Sequence, residues 1–390
     1  MENIEDRTNT ENFKSPSLLR NIMFLFGVDT DKNSRISSSK TAKLCSAYQR
    51  FMSVLWIIYF LHFVAITFLY EIRSPVADFR ESISRKFGDA IAFLLWLTLK
   101  SRCQRISDIL NDILHLGSSL NVAFKQISDK IGALVAVGVP LTIWVSVFVE
   151  LEERECKSVL TYFSFNYSYV GEGYNCKIAW IAMLSYQFAT YTLRTCLAVL
   201  YVILCFHYNK LLHKLSKIPY KVSDISVHSS IRYHFITYES IIKALKSFEN
   251  TMSLPIFLIE IGDCIAMFYC FVKMDPFHQS EERWFLKNYS LSGQFFALRA
   301  VLSFLCVSLA ASRVHEACKN TKDIQEEMMK KIIVSDEKHK KEFLLLLVTH
   351  NSPPFTLSAW GFFYFDRGLI LSAIGSILTY SLLILQLNTK

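Results

Sequence analysis

The amino-acid sequence predicts an all-α polytopic membrane protein with seven transmembrane helices, a cytoplasmic N-terminus and an extracellular C-terminus. Three observations carry this expectation. The 390 residues are 52% hydrophobic and only 19% charged. Apolar residues gather in runs of about 20, long enough to cross a hydrocarbon core of roughly 30 Å. Lysine and arginine concentrate in alternate loops, as the positive-inside bias requires.

The elements follow in chain order. Residues 1–50 form a cytoplasmic N-terminal segment. The first 17 residues are polar, and Leu18–Val28 is apolar but short and contains Arg20 and Asn21. That stretch is no signal peptide; it reads as an amphipathic helix lying against the inner membrane face or against the bundle. Phe51–Tyr70 is the first span. The second, around Val76–Leu99, is weaker, because Asp89 interrupts its apolar part and Arg80, Glu81, Arg85 and Lys86 precede it.

Loop charge decides whether that segment crosses. With seven spans, 28 Lys and Arg lie on the inner side and 11 on the outer. Without the second span the best division is 24 against 15. Seven spans therefore give the better account. The others are Ile131–Leu151, Ile178–Phe206, Ser253–Val272, Leu291–Ala311 and Gly368–Leu387. The net charge of +8 is this loop bias and not a nucleic-acid footprint.

Residues 51–314 thus hold helices 1–6. The inner segments carry mixed charge with apolar residues at helical spacing, as in Ile106, Ile109, Leu110, Ile113 and Leu114. Residues 315–352 read as a cytoplasmic helical anchor. Pro353-Pro354 ends it, and residues 353–390 supply the final span and a short extracellular tail.

The expected outer loops hold two N-glycosylation triplets, at Asn166 and Asn288. Of ten cysteines, Cys156 and Cys176 share an outer loop. They can form a disulfide there or remain thiols, and the sequence leaves both open. The rest show no CxxC spacing and no metal signature. No phosphate loop, GxSxG or HExxH is present. No enzyme, cofactor or metal site is expected.

Ionisable groups inside spans mark pathways or paired structural contacts. Here they are Asp89, Arg194, Glu260, Asp263 and Arg299. They can serve as buried acid–base pairs (Asp263 with Arg299, or Asp89 with Arg194) or as contacts to a ligand or ion. Aromatic and amide groups gather in the expected outer halves of the middle spans. They are Trp144 and Glu150 on the third, Trp180, Tyr186, Gln187 and Tyr191 on the fourth, Met267, Tyr269 and Phe271 on the fifth, and Gln294 and Phe295 on the sixth. An apolar cavity with a few hydrogen-bonding groups suits a small organic ligand, although aromatics at span ends also serve as interface anchors.

The last span closes with Thr379, Leu383 and Gln386 at i, i+4 and i+7, one stripe of a helix. Hydrocarbon offers the Gln386 amide no partner, so the stripe is expected to face protein or water. The segment from Ala359-Trp360-Gly361-Phe362-Phe363 through Thr379-Tyr380 to Gln386 resembles the insect gustatory receptor family. Its members end in Thr-Tyr, five mostly hydrophobic residues, and Gln-Phe. Leu387 stands here in place of the Phe, and Ser381 fills the first variable position.

The resemblance implies a ligand-gated cation channel opened by a small-molecule tastant. It implies a homo- or hetero-tetramer in the plasma membrane of chemosensory neurons, with Thr379, Tyr380, Leu383, Gln386 and Leu387 at the pore and its gate. Sugar-sensing members tend to carry Glu after Thr-Tyr, so Ser381 favours a bitter plant compound over a sugar. An insect odorant receptor of the same fold is the nearest alternative. A G-protein-coupled receptor needs the opposite orientation, and the third and seventh spans lack its Asp-Arg-Tyr and Asn-Pro-x-x-Tyr motifs. A transporter would show repeated halves, which are not visible.

Overall fold

The computed structural model describes residues 17–28, 40–73, 79–122, 126–150, 156, 176–218, 227–273, 290–335 and 353–388. Helix dominates these segments. In chain order they are α1 (Ser17–Leu25), α2 (Lys40–Arg73), α3 (Phe79–Ser119), α4 (Gln126–Glu150) and α5 (Cys176–Gln187). A one-turn π-helix, Phe188–Thr192, leads into α6 (Leu193–Ser216), followed by α7 (Val227–Lys273) and α8 (Ser290–Ser335). A two-stranded hairpin, β1 (Ser358–Ala359) and β2 (Phe363–Tyr364), then precedes α9 (Arg367–Asn388).

Among the described residues, five helical stretches are long and apolar enough to cross a membrane: Lys43–Ile66, Ser128–Val149, Cys176–Ser216, Arg232–Phe268 and Gly293–Lys330. Helices α3 and α9 stand where the second and seventh spans are expected. Helix α3 carries charges through its apolar part, and α9, 22 residues long, contributes the apolar stretch Gly368–Tyr380 among its described residues. At 1.5 Å per residue, the 47 residues of α7 and the 46 of α8 reach about 70 Å, roughly twice a bilayer core. Each long helix therefore has a portion that projects beyond the membrane.

The core centres on α6, whose buried residues run from Leu193 to Leu215 on nearly every face. A helix apolar all round is stable only when surrounded, and α6 packs against α8, α4, α7, α3 and α1. Helix α1 lies against this bundle, not against a lipid surface alone: Leu19, Met23 and Phe26 are buried in the same core. Its first turn has N–H groups without intrahelical acceptors, and Asp129 of α4 supplies one. The Leu18 and Leu19 amides donate to that carboxylate at 3.2 and 3.4 Å. At the other end Gly27, at φ +73°, lets the Val28 amide donate back to the Met23 carbonyl, a Schellman closure. The Trp96 indole donates to the Phe26 carbonyl at 3.0 Å.

Pro255 lies inside α7. Proline has no N–H, so the carbonyl four residues back, on Thr251, loses its helical donor. Arg102 of α3 replaces it, with Nη1 donating to the Thr251 carbonyl at 2.8 Å and to the Asn250 carbonyl at 3.1 Å. Two residues before Thr251 on α7, Glu249 accepts from both the amide and the hydroxyl of Ser358 in β1. The hairpin turns at Trp360 and Gly361, both at positive φ, as a type I′ turn requires. Asp366 then caps α9 through the Leu369 amide at 2.7 Å, the expected role of an N-cap carboxylate.

Candidate functional site

Three of the expected intramembrane charges, Arg194, Asp263 and Arg299, converge on one point. Asp263 of α7 accepts through the same carboxylate oxygen from Arg194 Nη2 of α6 at 2.7 Å and from Arg299 Nη2 of α8 at 2.6 Å. Asp263 is 0% exposed, Arg194 5% and Arg299 6%. Arg194 also donates to the Ile259 carbonyl at 2.8 Å, and Arg299 lies 5.3 Å from the Tyr191 ring centre, a cation–π distance. Glu260, one turn before Asp263, is 1% exposed.

The sequence allowed Asp89 to pair with Arg194; the structure corrects this. Arg194 is taken up by Asp263, while Asp89 accepts from the Tyr186 hydroxyl at 3.0 Å. The reason lies in helix rotation: α6 turns Arg194 toward α7. The close approach depends on Gly262, because a Cβ there would stand 2.4 Å from Arg194 Nη2.

The ligand candidates of the fourth span cluster around the π-turn. Gln187 is buried, with its Oε1 unpartnered among the described residues. Tyr191 meets Phe296 edge-on at 4.8 Å, and Tyr186 packs on Phe63 at 5.2 Å. A π-turn adds one residue to the helical repeat and re-aims the side chains of the next turns. Met267 is buried against Ala300 and Phe304.

The other candidates separate from this centre. Trp144 donates to the Trp180 carbonyl at 3.3 Å, and Phe148 packs on Trp180 at 4.4 Å. Trp180 also packs beside a disulfide that joins Cys156 to Cys176. Gln294 and Phe295 are exposed on α8. Phe296 takes the inward line instead, four residues before the buried Ala300. Glu150 and Tyr269 lie within α4 and α7, but their side chains, and Phe271's, fall outside the described ones. Asn166 and Asn288 lie outside the described residues.

On α9, Thr379, Tyr380, Leu383 and Gln386 are all exposed, and the Thr379 hydroxyl donates to the Gly375 carbonyl at 2.7 Å. The Leu387 side chain falls outside the described ones. Leu371 is 76% exposed and Tyr380 62%, with Leu378, Leu382 and Leu383 also open. Helix α9 touches the rest of the chain through α7 and α8. No group of three or more metal-ligating side chains occurs among the described residues.

Sequence reasoning named the charges but not their common hub, and it missed Gly262, Arg102 and the Glu249–Ser358 contact. A glycine one residue before an intramembrane aspartate was the available signal for the first. The others had none.

A bundle of long apolar helices with a buried charge centre defines a multi-pass membrane protein. The chain belongs to the 7tm chemosensory receptor family, whose model matches residues 49–388. Comparison with curated protein sequences returns no significant match. Among solved structures, the chain is similar to the insect olfactory receptor OR5 from Machilis hrabei. The TM-score is 0.62 at 13% identity, over 95% of this chain and 97% of that one. The same receptor in complex with eugenol matches at a TM-score of 0.59 and 13% identity, over the same shares of the two chains. At this identity the likeness is one of fold.

Proposed function

We propose that the chain is a subunit of a ligand-gated, non-selective cation channel of the gustatory branch, opened by a small organic tastant. The observation that carries this reading is the polar stripe of α9, on which Thr379 and Gln386 are exposed. The apolar line beside it, Leu371, Ile374, Leu378 and Leu382, suits lipid as well as a neighbouring helix, whereas polar groups within a span are expected to face protein or water. Around a fourfold axis, part of that line packs on a neighbouring copy and the Thr379–Gln386 stripe faces the pore. Seven spans with the N-terminus inside place Gln386 and Leu387 at the outer end, where an apolar ring gates by excluding water.

The ligand site of this reading is the region between α6, α7 and α8 around Tyr191 and the charge centre, with the aromatic groups near Tyr186 beside it. That a chain of similar fold binds eugenol supports a small organic ligand within the bundle. Ser381 favours a bitter plant compound over a sugar. Signal transfer runs along the stretch of α7 between Asp263 and Glu249, the latter in contact with the hairpin that leads into α9.

The odorant branch is the second reading, favoured by the olfactory receptor fold match; the Thr379-Tyr380 to Gln386 motif favours the gustatory one. Expression of the chain alone in cells, with current recorded across a tastant panel, tests both. Evoked cation current without a co-receptor is the expected result. Current that appears only with an olfactory co-receptor would move the chain to the odorant branch, and a response only through a G protein would overturn the channel.

A further inference from the structure

Among the five membrane-crossing stretches, that of α2 is the least buried, at 22%, so most of its surface looks outward. It meets α3 along a ladder of antiparallel contacts. Phe60 stacks on Phe93 at 3.8 Å, Trp56 stacks on Trp96 at 5.8 Å, and the Lys100 ammonium donates to the Ser53 hydroxyl. This ladder fixes the register of the two helices. Continued by one turn, it sets Arg50 level with Cys103, and Arg105 level with Tyr48. At 1.5 Å per residue, Arg50, Lys100 and Arg105 then share an axial band of about 8 Å.

All three side chains are exposed, and no ion pair engages them among the described residues. Neither helix supplies a counter-charge nearby. No Asp or Glu occurs from Lys40 to Tyr70, nor between Asp89 and Asp108. A positive-inside bias accounts for cations on this side of the membrane, but not for their gathering at one level of one groove. Lys100 is held there, with Nζ 5.1 Å from the Trp96 ring centre. Its hydroxyl partner is neutral, so the ammonium charge stays uncompensated.

The band caps an apolar groove at the edge of the first span. On α2, Val54, Ile57 and Leu61 continue the line of Arg50 at i+4, i+7 and i+11, and all are exposed. On α3, Leu94 and Leu97 precede Lys100 and are exposed as well. A cationic rim over an outward apolar slope matches a phospholipid, with the phosphate at the rim and the acyl chains along the slope. Guanidinium forks bond phosphate oxygens in pairs, and an ammonium meets them as a point charge.

We propose that Arg50, Lys100 and Arg105 bind the headgroup of an anionic phospholipid of the inner leaflet, which pins α2 to α3. The leaflet rests on the reading that the N-terminus lies inside, where anionic lipids concentrate; the groove does not. The test titrates phosphatidylserine and phosphatidylcholine onto the purified full-length protein in micelles and counts bound lipid by native mass spectrometry. Tighter binding of phosphatidylserine is expected. A cation at an anionic surface contributes about 1 kcal/mol, which is about fivefold in affinity. In the triple variant Arg50→Gln, Lys100→Gln, Arg105→Gln the preference is expected to fall toward one. The variant Arg313→Gln, Lys319→Gln, Lys330→Gln removes equal charge from exposed positions of α8 and is expected to keep it. If the first triple variant does not fold, Arg50→Gln alone is expected to weaken phosphatidylserine binding about fivefold and to leave phosphatidylcholine unchanged.

Equal binding of the two lipids by the unaltered protein overturns the proposal, as does a preference indifferent to Arg50. A preference that both triple variants lose alike would belong to bulk charge and not to this groove. Lost subunit assembly with the lipid preference intact would give the face to a neighbouring copy instead. Orientation is read separately, from an epitope tag at residue 390. A tag stained only after permeabilisation sinks the inner-leaflet assignment and the channel topology, while the micelle result for the groove stands.

Discussion

The Arg102 guanidinium donates to the Thr251 carbonyl at 2.8 Å, filling the bond that Pro255 cannot make. The two helices α3 and α7 are thereby joined at the one point where α7 has a broken ladder. Removing Arg102 leaves a buried carbonyl without a donor. The Arg102→Ala variant is expected to lose about 1–3 kcal/mol of stability, measured as thermal unfolding of the purified protein. Pro255→Ala returns an N–H to Thr251, so Arg102→Ala should cost less in that background. Equal costs in both backgrounds would show that the proline is irrelevant to the contact.

Asp263 is the shared counter-charge of two buried arginines. The Asp263→Asn variant leaves guanidinium charge uncompensated, a change that costs about 3–5 kcal/mol in buried pairs. We expect a sharp fall in the fraction reaching the cell surface. Adding Arg299→Met to that variant removes one of the unpaired charges and is expected to restore part of the loss. Surface staining of both variants decides the matter; no rescue would speak against the ion-pair hub.

Gly262 gives the Arg194 guanidinium its place. A methyl group there would meet Nη2 at 2.4 Å, a distance no contact tolerates. Gly262→Ala is therefore expected to push Arg194 off Asp263 and to lower thermal stability, although alanine is the better helix former by about 1 kcal/mol. A stability gain in the same melting experiment would mean that Arg194 relocates at no cost.

Glu249 holds Ser358 by two hydrogen bonds, tying α7 to the hairpin that leads into α9. In a double-mutant cycle, Glu249→Gln and Ser358→Ala should be coupled by about 0.5–3 kcal/mol, read from the tastant concentration at half-maximal current. Strict additivity would remove this contact from the gating path.

Much of the architecture was legible from hydropathy and loop charge, because apolar run length is a one-dimensional property. Each expected span falls on helical residues wherever these are described, while residues 336–352, which the expected break at Pro353-Pro354 would end, lie outside the described residues. The charge partners were not legible. Which carboxylate meets Arg194 depends on the rotation of α6 about its axis, and a π-turn at Phe188–Thr192 resets that rotation. Likewise, Phe295 and Phe296 are neighbours in sequence, and only the phase of α8 decides which turns inward. The docking of α1 joins Leu18 to Asp129 across 111 residues, a distance that no local pattern spans. The closing stripe of α9 was visible because its polar groups recur at helical spacing.

The central claim is that α9 lines a pore that closes at Gln386 and Leu387. Single-channel recording of Gln386→Ala and Leu387→Ala tests it most directly. The account predicts altered unitary conductance or ion selectivity for the first and a raised basal leak for the second, since alanine leaves a wider and less apolar constriction. Unchanged conductance, selectivity and leak in both variants would contradict it.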